Sequence, residues 1–189
     1  KDKWHPTGPA RQRGYHALAT RGLANTLDNS VPPDLRETVF LGPVDDHEGH
    51  FAHIPEASTA YAPNIYPDAP TAFSEALRAL YRAYERLSLD LLSIFAVALE
   101  IPEESFTARM TRHFSILSSH HYPPLAEPPM PAQLRPGAHT DFGAFTILAM
   151  TDAIGGLEAL SPGGHWIPVK PRPGALVVNI SDMMAPWTN

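Results

Sequence analysis

The sequence predicts a mainly β fold, a jelly roll or barrel with one long flanking helix. Apolar residues keep a helical period over only one long stretch, between residues 72 and 99. Beyond residue 113 the chain divides into short β-rich runs separated by Gly- and Pro-containing turns. Many short strands joined by tight turns favour such an architecture over a parallel sheet built from strand-helix-strand units.

In the helix, Phe73, Leu77, Leu80, Tyr84, Leu87, Leu91, Ile94 and Ala98 recur at spacings of four and three, while Glu75, Arg78, Arg82 and Arg86 fall on other faces. Thr71 is the expected N-cap, with Asp68 and Pro70 before it and Pro102 just past the end. The stripe reads as a scaffold face packed on a sheet, with a partner-binding helix as the lesser alternative. A short helical turn is expected at residues 102–106. Strands are then expected at residues 114–121, 138–150, 157–160, 166–169 and 175–180. The turns between the later strands are Gly155-Gly156, Ser161-Pro162-Gly163-Gly164 and Arg172-Pro173-Gly174.

The first seventy residues are rich in Pro, Gly and His and show no sustained period. Residues 1–14 read as exposed coil. His47, His50 and His53, set among Asp45, Asp46 and Glu48, read as an acidic surface loop; a metal site there is the alternative, weakened by Gly49, Pro43 and Pro55, which favour flexibility. The chain thus divides into a loop-rich region (1–68), scaffold helices (69–106) and a partial β core (107–189).

Length and composition allow one domain with a substantial core: 189 residues, 43% of them hydrophobic. A net charge of −6 and Lys and Arg residues scattered without a basic run argue against nucleic acid and for a small-molecule partner. The absence of Cys excludes a disulfide scaffold, thiolate zinc sites and Cys-based catalysis. The longest apolar stretch, residues 87–99, contains Ser88, Asp90 and Ser93 and is too short and too polar to span a bilayer. A cytoplasmic location is expected. Because the chain opens on Lys1 rather than Met, an upstream targeting segment is compatible with it.

The most informative stretch is HTDFGAFTIL, where His139 and Asp141 stand two apart before an apolar run. On an extended strand, side chains at i and i+2 share a face, so an imidazole and a carboxylate there can grip one metal ion. Non-haem iron oxygenases complete this pair with a distant His. The plain alternative is a surface His beside a solvated Asp, since the bare spacing is a weak signal. The β-rich run that follows, with Gly143 where the backbone bends, strengthens the metal reading. Phe142 and Phe145 are candidates to line an apolar substrate pocket, with core packing the more ordinary role for each.

An ordered series of motifs covers most of the chain: Arg13-Gly14-Tyr15, Pro33-Asp34-Leu35 with Glu37, the long helix, Tyr122-Pro123-Pro124, HTDFGAFTIL, Gly156-Leu157, Trp166-Ile167-Pro168-Val169 and GALVVNISDMMAPWTN. This series resembles the isopenicillin N synthase-like branch of the iron(II)- and 2-oxoglutarate-dependent oxygenases. The resemblance implies a double-stranded β-helix core, His139 and Asp141 as metal ligands, and oxidation of a small organic substrate with molecular oxygen. Iron(II) and 2-oxoglutarate are the implied cofactors. It also implies that Tyr122 donates its hydroxyl to a carboxylate of 2-oxoglutarate or of the substrate.

The departures from the family pattern are specific. The second metal His, in a Ser-x-x-His-Arg motif, and an Arg-x-Ser pair for the 2-oxoglutarate carboxylate are expected beyond Asn189. The region that precedes Arg13-Gly14-Tyr15 in the family is not matched either. The chain therefore resembles the middle of a longer enzyme, a core incomplete at both ends and expected to be inactive alone. His120 stands where the family often has Asn, and is free to face metal, cosubstrate or solvent, with solvent or a packed strand position favoured. Ser181 replaces the usual Gly before Asp182, which makes Asp182 a turn residue rather than a ligand. Three other readings stay open: a non-catalytic β-helix binding module, an oxidase of the isopenicillin N synthase type that needs no 2-oxoglutarate, and a cupin-like metal enzyme of another reaction type.

Overall fold

The computed structural model describes residues 12–21, 32–151 and 155–188. The coil expected at residues 1–11 lies outside the described residues. The chain forms two compact units, residues 1–139 and 140–189.

In the first unit, strands β1 (Gly14–His16), β2 (Glu37–Leu41) and β3 (Leu117–His121) form an antiparallel sheet with β2 in the centre. Two of these strands come from the region without periodicity. Strands of three and five residues are too short to print a period, and their pairing partners lie far along the chain. Helix α1 (Ala57–Ala60) follows, and then the long helix α2 (Thr71–Ala98).

Helix α2 begins one residue earlier than expected, because Pro70 in extended conformation takes the N-cap position and Thr71 is already helical. Its end is a Schellman arrangement: Glu100 adopts φ +58°, the Ile101 N–H bonds the Ala96 carbonyl at 3.1 Å and the Glu100 N–H the Val97 carbonyl at 3.1 Å. The buried face is Leu77, Tyr81, Leu92 and Ala96, whereas Leu80 and Ile94 are exposed. The predicted stripe was rotated by about one residue. Tyr81 accounts for the difference: its ring is buried and its hydroxyl donates to the Ser115 carbonyl at 3.0 Å, so an amphipathic side chain occupies the inner face. Burial pushes the Tyr81 hydroxyl well above the ordinary tyrosine range, with Glu85 adding to the effect. The turn predicted at residues 102–106 is a pair of 3-10 turns, Glu103–Ser105 and Thr107–Arg109. No described helix is long and apolar enough to cross a membrane.

Arg13, expected in exposed coil, is instead 2% exposed. Its guanidinium donates to the carbonyls of Ala60 at 2.7 Å, Ala62 at 3.1 Å and Gln12 at 2.9 Å. A buried cation is tolerated only when its donors are satisfied, and the carbonyls at the end of α1 and just after it, with that of Gln12, supply that. Burial still pulls its pKa below the ordinary arginine value. The guanidinium lies against Gly42, where an added Cβ would come within 2.1 Å of it. Asn64 clamps the same corner, accepting from the Gly42 N–H at 2.7 Å and donating to the Gly42 and Pro43 carbonyls.

In the second unit, β4 (Phe145–Ala149) pairs antiparallel with β7 (Leu176–Ile180), and β5 (Glu158–Leu160) with β6 (Trp166–Pro168). Helix α3 (Met184–Thr188) follows β7. The predicted turns fold by their local chemistry. Arg172-Pro173-Gly174-Ala175 closes with an Ala175 N–H to Arg172 carbonyl bond of 3.0 Å, Pro173 fixing its own φ and Gly174 accepting φ +72°. One expectation fails: the strand predicted at residues 138–150 begins only at Phe145, because the backbone bends at residues 142–144 and Gly143 takes φ +91°.

Gly42→Ala is expected to destabilise the first unit by about 1–3 kcal/mol through forced overpacking against Arg13. Urea denaturation of the purified protein measures it; a midpoint equal to that of the parent would contradict this packing.

Candidate metal centre

His139 ends a segment that the first unit holds by buried hydrogen bonds. Gln133, 8% exposed, donates to the Pro33 carbonyl at 2.9 Å, and the Leu35 N–H bonds the Leu134 carbonyl at 3.0 Å. The buried Gly137 N–H reaches the Asp34 carboxylate at 3.4 Å. The Gly137 carbonyl in turn lies 2.8 Å from His139 Nδ1. A carbonyl only accepts, so Nδ1 carries the proton and the neutral ring keeps its lone pair on Nε2. That tautomer is the one a metal ligand needs.

Asp141 belongs to the second unit and sits just before the bend that leads into β4, not on the strand itself. The same-face alternation of an extended ladder therefore does not govern it. Its carboxylate accepts from Asn179 Nδ2 at 2.7 Å. Its backbone is strapped to the turn after β7: the Asp182 N–H bonds the Asp141 carbonyl at 3.1 Å, Met183 N–H the Gly143 carbonyl at 3.0 Å, and Ser181 N–H the Ala144 carbonyl at 3.0 Å. Asp182 lies in that turn and accepts from the Thr140 hydroxyl at 2.8 Å.

The other candidates lie as follows. His120, on β3, has Nδ1 at 2.8 Å from the Thr38 hydroxyl and Nε2 at 3.1 Å from the Ser118 hydroxyl, so both ring nitrogens are engaged within the sheet. Tyr122 follows the strand and is 36% exposed, with the Arg135 guanidinium 5.9 Å from its ring centre. Phe145 is half-buried opposite Ile180. Phe142 is 78% exposed. In the His47 to His53 loop the rings of His47 and His50 meet Tyr61 and Phe51 respectively. Among the described residues no group of three or more His, Cys, Asp or Glu is placed to hold a metal. Sequence reasoning placed Asn179 and Asp34 within the motif series but gave neither a role of its own; an amide inside the apolar run LVVNI was the available signal for the first.

Residues 113–189 match the 2OG-Fe(II) oxygenase superfamily. Over 100% of its length the chain is 31% identical to a 2-oxoglutarate-Fe(II) type oxidoreductase of Aspergillus fumigatus, covering 55% of that protein. Over 98% of its length it is 29% identical to the proline hydroxylase buaE of Petromyces alliaceus, covering 56% of it. The crystal structure of full-length Neurospora crassa T7H in complex with alpha-KG aligns with a TM-score of 0.77 at 26% identity, over 98% of this chain and 55% of that one. The fold is therefore the jelly roll of this class of oxygenases. The chain belongs to the iron(II)- and 2-oxoglutarate-dependent oxygenase family. It spans about half the length of the curated relatives it matches.

The register that sets His120 opposite Thr38 also sets His121 opposite Glu37. Glu37 accepts from the Tyr15 hydroxyl at 2.8 Å and lies 3.0 Å from His121 Nδ1. These bonds, that of His121 first and that of Tyr15 second, hold the Glu37 carboxyl below its ordinary value of 4.5. A depressed folded-state pKa contributes stability above the unfolded value, which is lost as pH falls through the folded one. His121→Asn is expected to raise the Glu37 titration midpoint toward 4.5, read from its side-chain carboxyl carbon by NMR. A midpoint that does not move would show that the His121 contact contributes nothing.

Proposed function

We propose that this chain carries two of the iron(II) ligands, His139 and Asp141, of a 2-oxoglutarate-dependent oxygenase that oxidises a small organic molecule. One observation carries the reading. Within the segment that matches the superfamily, two potential ligands two residues apart are each oriented by a neighbour, His139 by the Gly137 carbonyl and Asp141 by Asn179. The donors are a neutral imidazole and a carboxylate with no thiolate, a set suited to iron(II) in a site with open positions. The relatives support the cosubstrate: T7H is solved with alpha-KG and, in another complex, with thymine as well.

Iron(II) held there with 2-oxoglutarate would activate molecular oxygen, the oxidant, one oxygen atom passing into succinate as 2-oxoglutarate loses carbon dioxide and the other serving to oxidise a C–H bond of the substrate. The protein residues do the rest. His139 presents Nε2 while the Gly137 carbonyl retains the Nδ1 proton. Asn179 holds Asp141 Oδ2, which limits how the carboxylate turns. Tyr122 is assigned to donate its hydroxyl to a carboxylate of 2-oxoglutarate. Phe142 and Phe145 are assigned to the substrate side, where the exposed ring of Phe142 offers an apolar surface for a small molecule.

In the full-length protein, His139→Ala and Asp141→Ala should each abolish iron retention after desalting. Asn179→Ala should weaken iron(II) binding by roughly 10–100-fold, because the groups that orient ligands carry that much of metal affinity. Unaltered iron content in all three would refute the ligand assignment. Tyr122→Phe should raise the 2-oxoglutarate requirement by the equivalent of about 1.5–3 kcal/mol, the worth of one hydrogen bond to a charged group. Succinate should form in proportion to oxidised product. Substrate oxidation that proceeds unchanged without any 2-oxo acid would overturn the cosubstrate while leaving the iron ligands standing.

A further inference from the structure

We propose that Asp34 is a positioning residue for the imidazole of His139, acting through the backbone of Gly137. The proposal rests on the reading of His139 as a metal ligand and adds a residue more than a hundred positions away to its support. Asp34 is 2% exposed and lies just before β2. Its Oδ2 pairs with the Arg36 guanidinium at 3.1 Å, and both side chains are almost wholly buried. Its Oδ1 faces the Gly137 N–H at 3.4 Å. The Gly137 carbonyl then stands 2.8 Å from His139 Nδ1.

The chain of contacts runs in one direction. Arg36 fixes the carboxylate, the carboxylate holds the Gly137 N–H, and Gly137 is thereby kept at the place from which its own carbonyl meets the His139 ring. That carbonyl selects the ring's tautomer and its rotation about Cβ–Cγ. Two further bonds keep the two segments together, Leu35 N–H to the Leu134 carbonyl at 3.0 Å and Gln133 Nε2 to the Pro33 carbonyl at 2.9 Å. The 3.4 Å contact is long for a hydrogen bond, so these neighbours are what hold it in register. A buried ion pair is a weak source of net stability but a strong source of fixed geometry when each charge has its partner. Asp34 and Arg36 meet that description, and what they face is the backbone that aims His139.

The test separates the acceptor from the charge in the full-length protein. Arg36→Met is combined with Asp34→Asn, which keeps an oxygen for the Gly137 N–H, or with Asp34→Leu, which does not. His139 is read by long-range proton–nitrogen NMR of the metal-free protein, and cobalt(II) affinity by titration. The Asn variant should keep the Nδ1–H tautomer and the parent affinity. The Leu variant should show a mixture of tautomers and bind cobalt(II) roughly tenfold more weakly or worse. A folded Leu variant with the parent tautomer and affinity overturns the proposal. If the Leu variant does not fold, Asp34→Asn alone decides: its weaker acceptor should shift the Gly137 amide proton and the His139 ring signals together, and an unmoved His139 overturns the role. Unchanged cobalt(II) binding in His139→Ala would instead sink the metal assignment and this role with it. That outcome is distinct from a failure of positioning alone, in which His139→Ala loses cobalt(II) but the Asp34 variants do not.

Discussion

The antiparallel pairing of β4 with β7 governs the position of Asp141. In that ladder Phe145 faces Ile180 and Thr146 faces Asn179, and the chain leaving β7 turns back to strap residues 141–144 through the backbone of Ser181, Asp182 and Met183. Side chains alternate faces along a strand, so a slip of one residue would turn Asn179 away and release the Asp141 carboxylate. The Asn179 bond and the backbone strap at Asp141 both descend from this register. The φ +91° of Gly143 is what lets the strap reach both its own residues and the start of β4.

The first unit orients His139 by a different means, buried polar contacts rather than a ladder. Arg13, Asp34, Arg36, Thr38 and Gln133 are all buried; Arg36 pairs with Asp34 two residues away, and each of the other four makes a hydrogen bond to a segment distant in sequence. Such groups are costly to bury and costlier to leave unpaired, so they disfavour alternative arrangements of the same segments. By contrast the ion pairs of Arg82 with Asp45 and Glu85 lie on the exposed side of α2 and contribute little to stability. The second unit exposes Leu160, Trp166, Ile167 and Ile180, apolar residues on its short two-stranded ladders. Its local order comes from turns and straps more than from a core.

Much of this was legible in the sequence where the signal is local. The 28-residue helix repeats its period many times, and the Ser161 to Gly164 and Arg172 to Gly174 turns are dictated by which residues accept the required φ. The later strands were found to within a few residues for the same reason, as turn residues bracket them. His139 and Asp141 were visible as a spacing, and Tyr122 and His120 as positions within a resemblance.

Tertiary structure decided what depends on partners far along the chain. β1 and β2 are too short to show a period and exist because β2 can pair with β3, some eighty residues on. The face of α2 that is buried was set by Tyr81 reaching Ser115, not by hydrophobic count. The strand expected to carry His139 and Asp141 gave way to a bend, so their orientation comes from Gly137 and Asn179 rather than from alternation. Local chemistry writes periods and turns into a sequence; long-range hydrogen bonds leave no such mark, because neither partner reveals the other until the chain has folded.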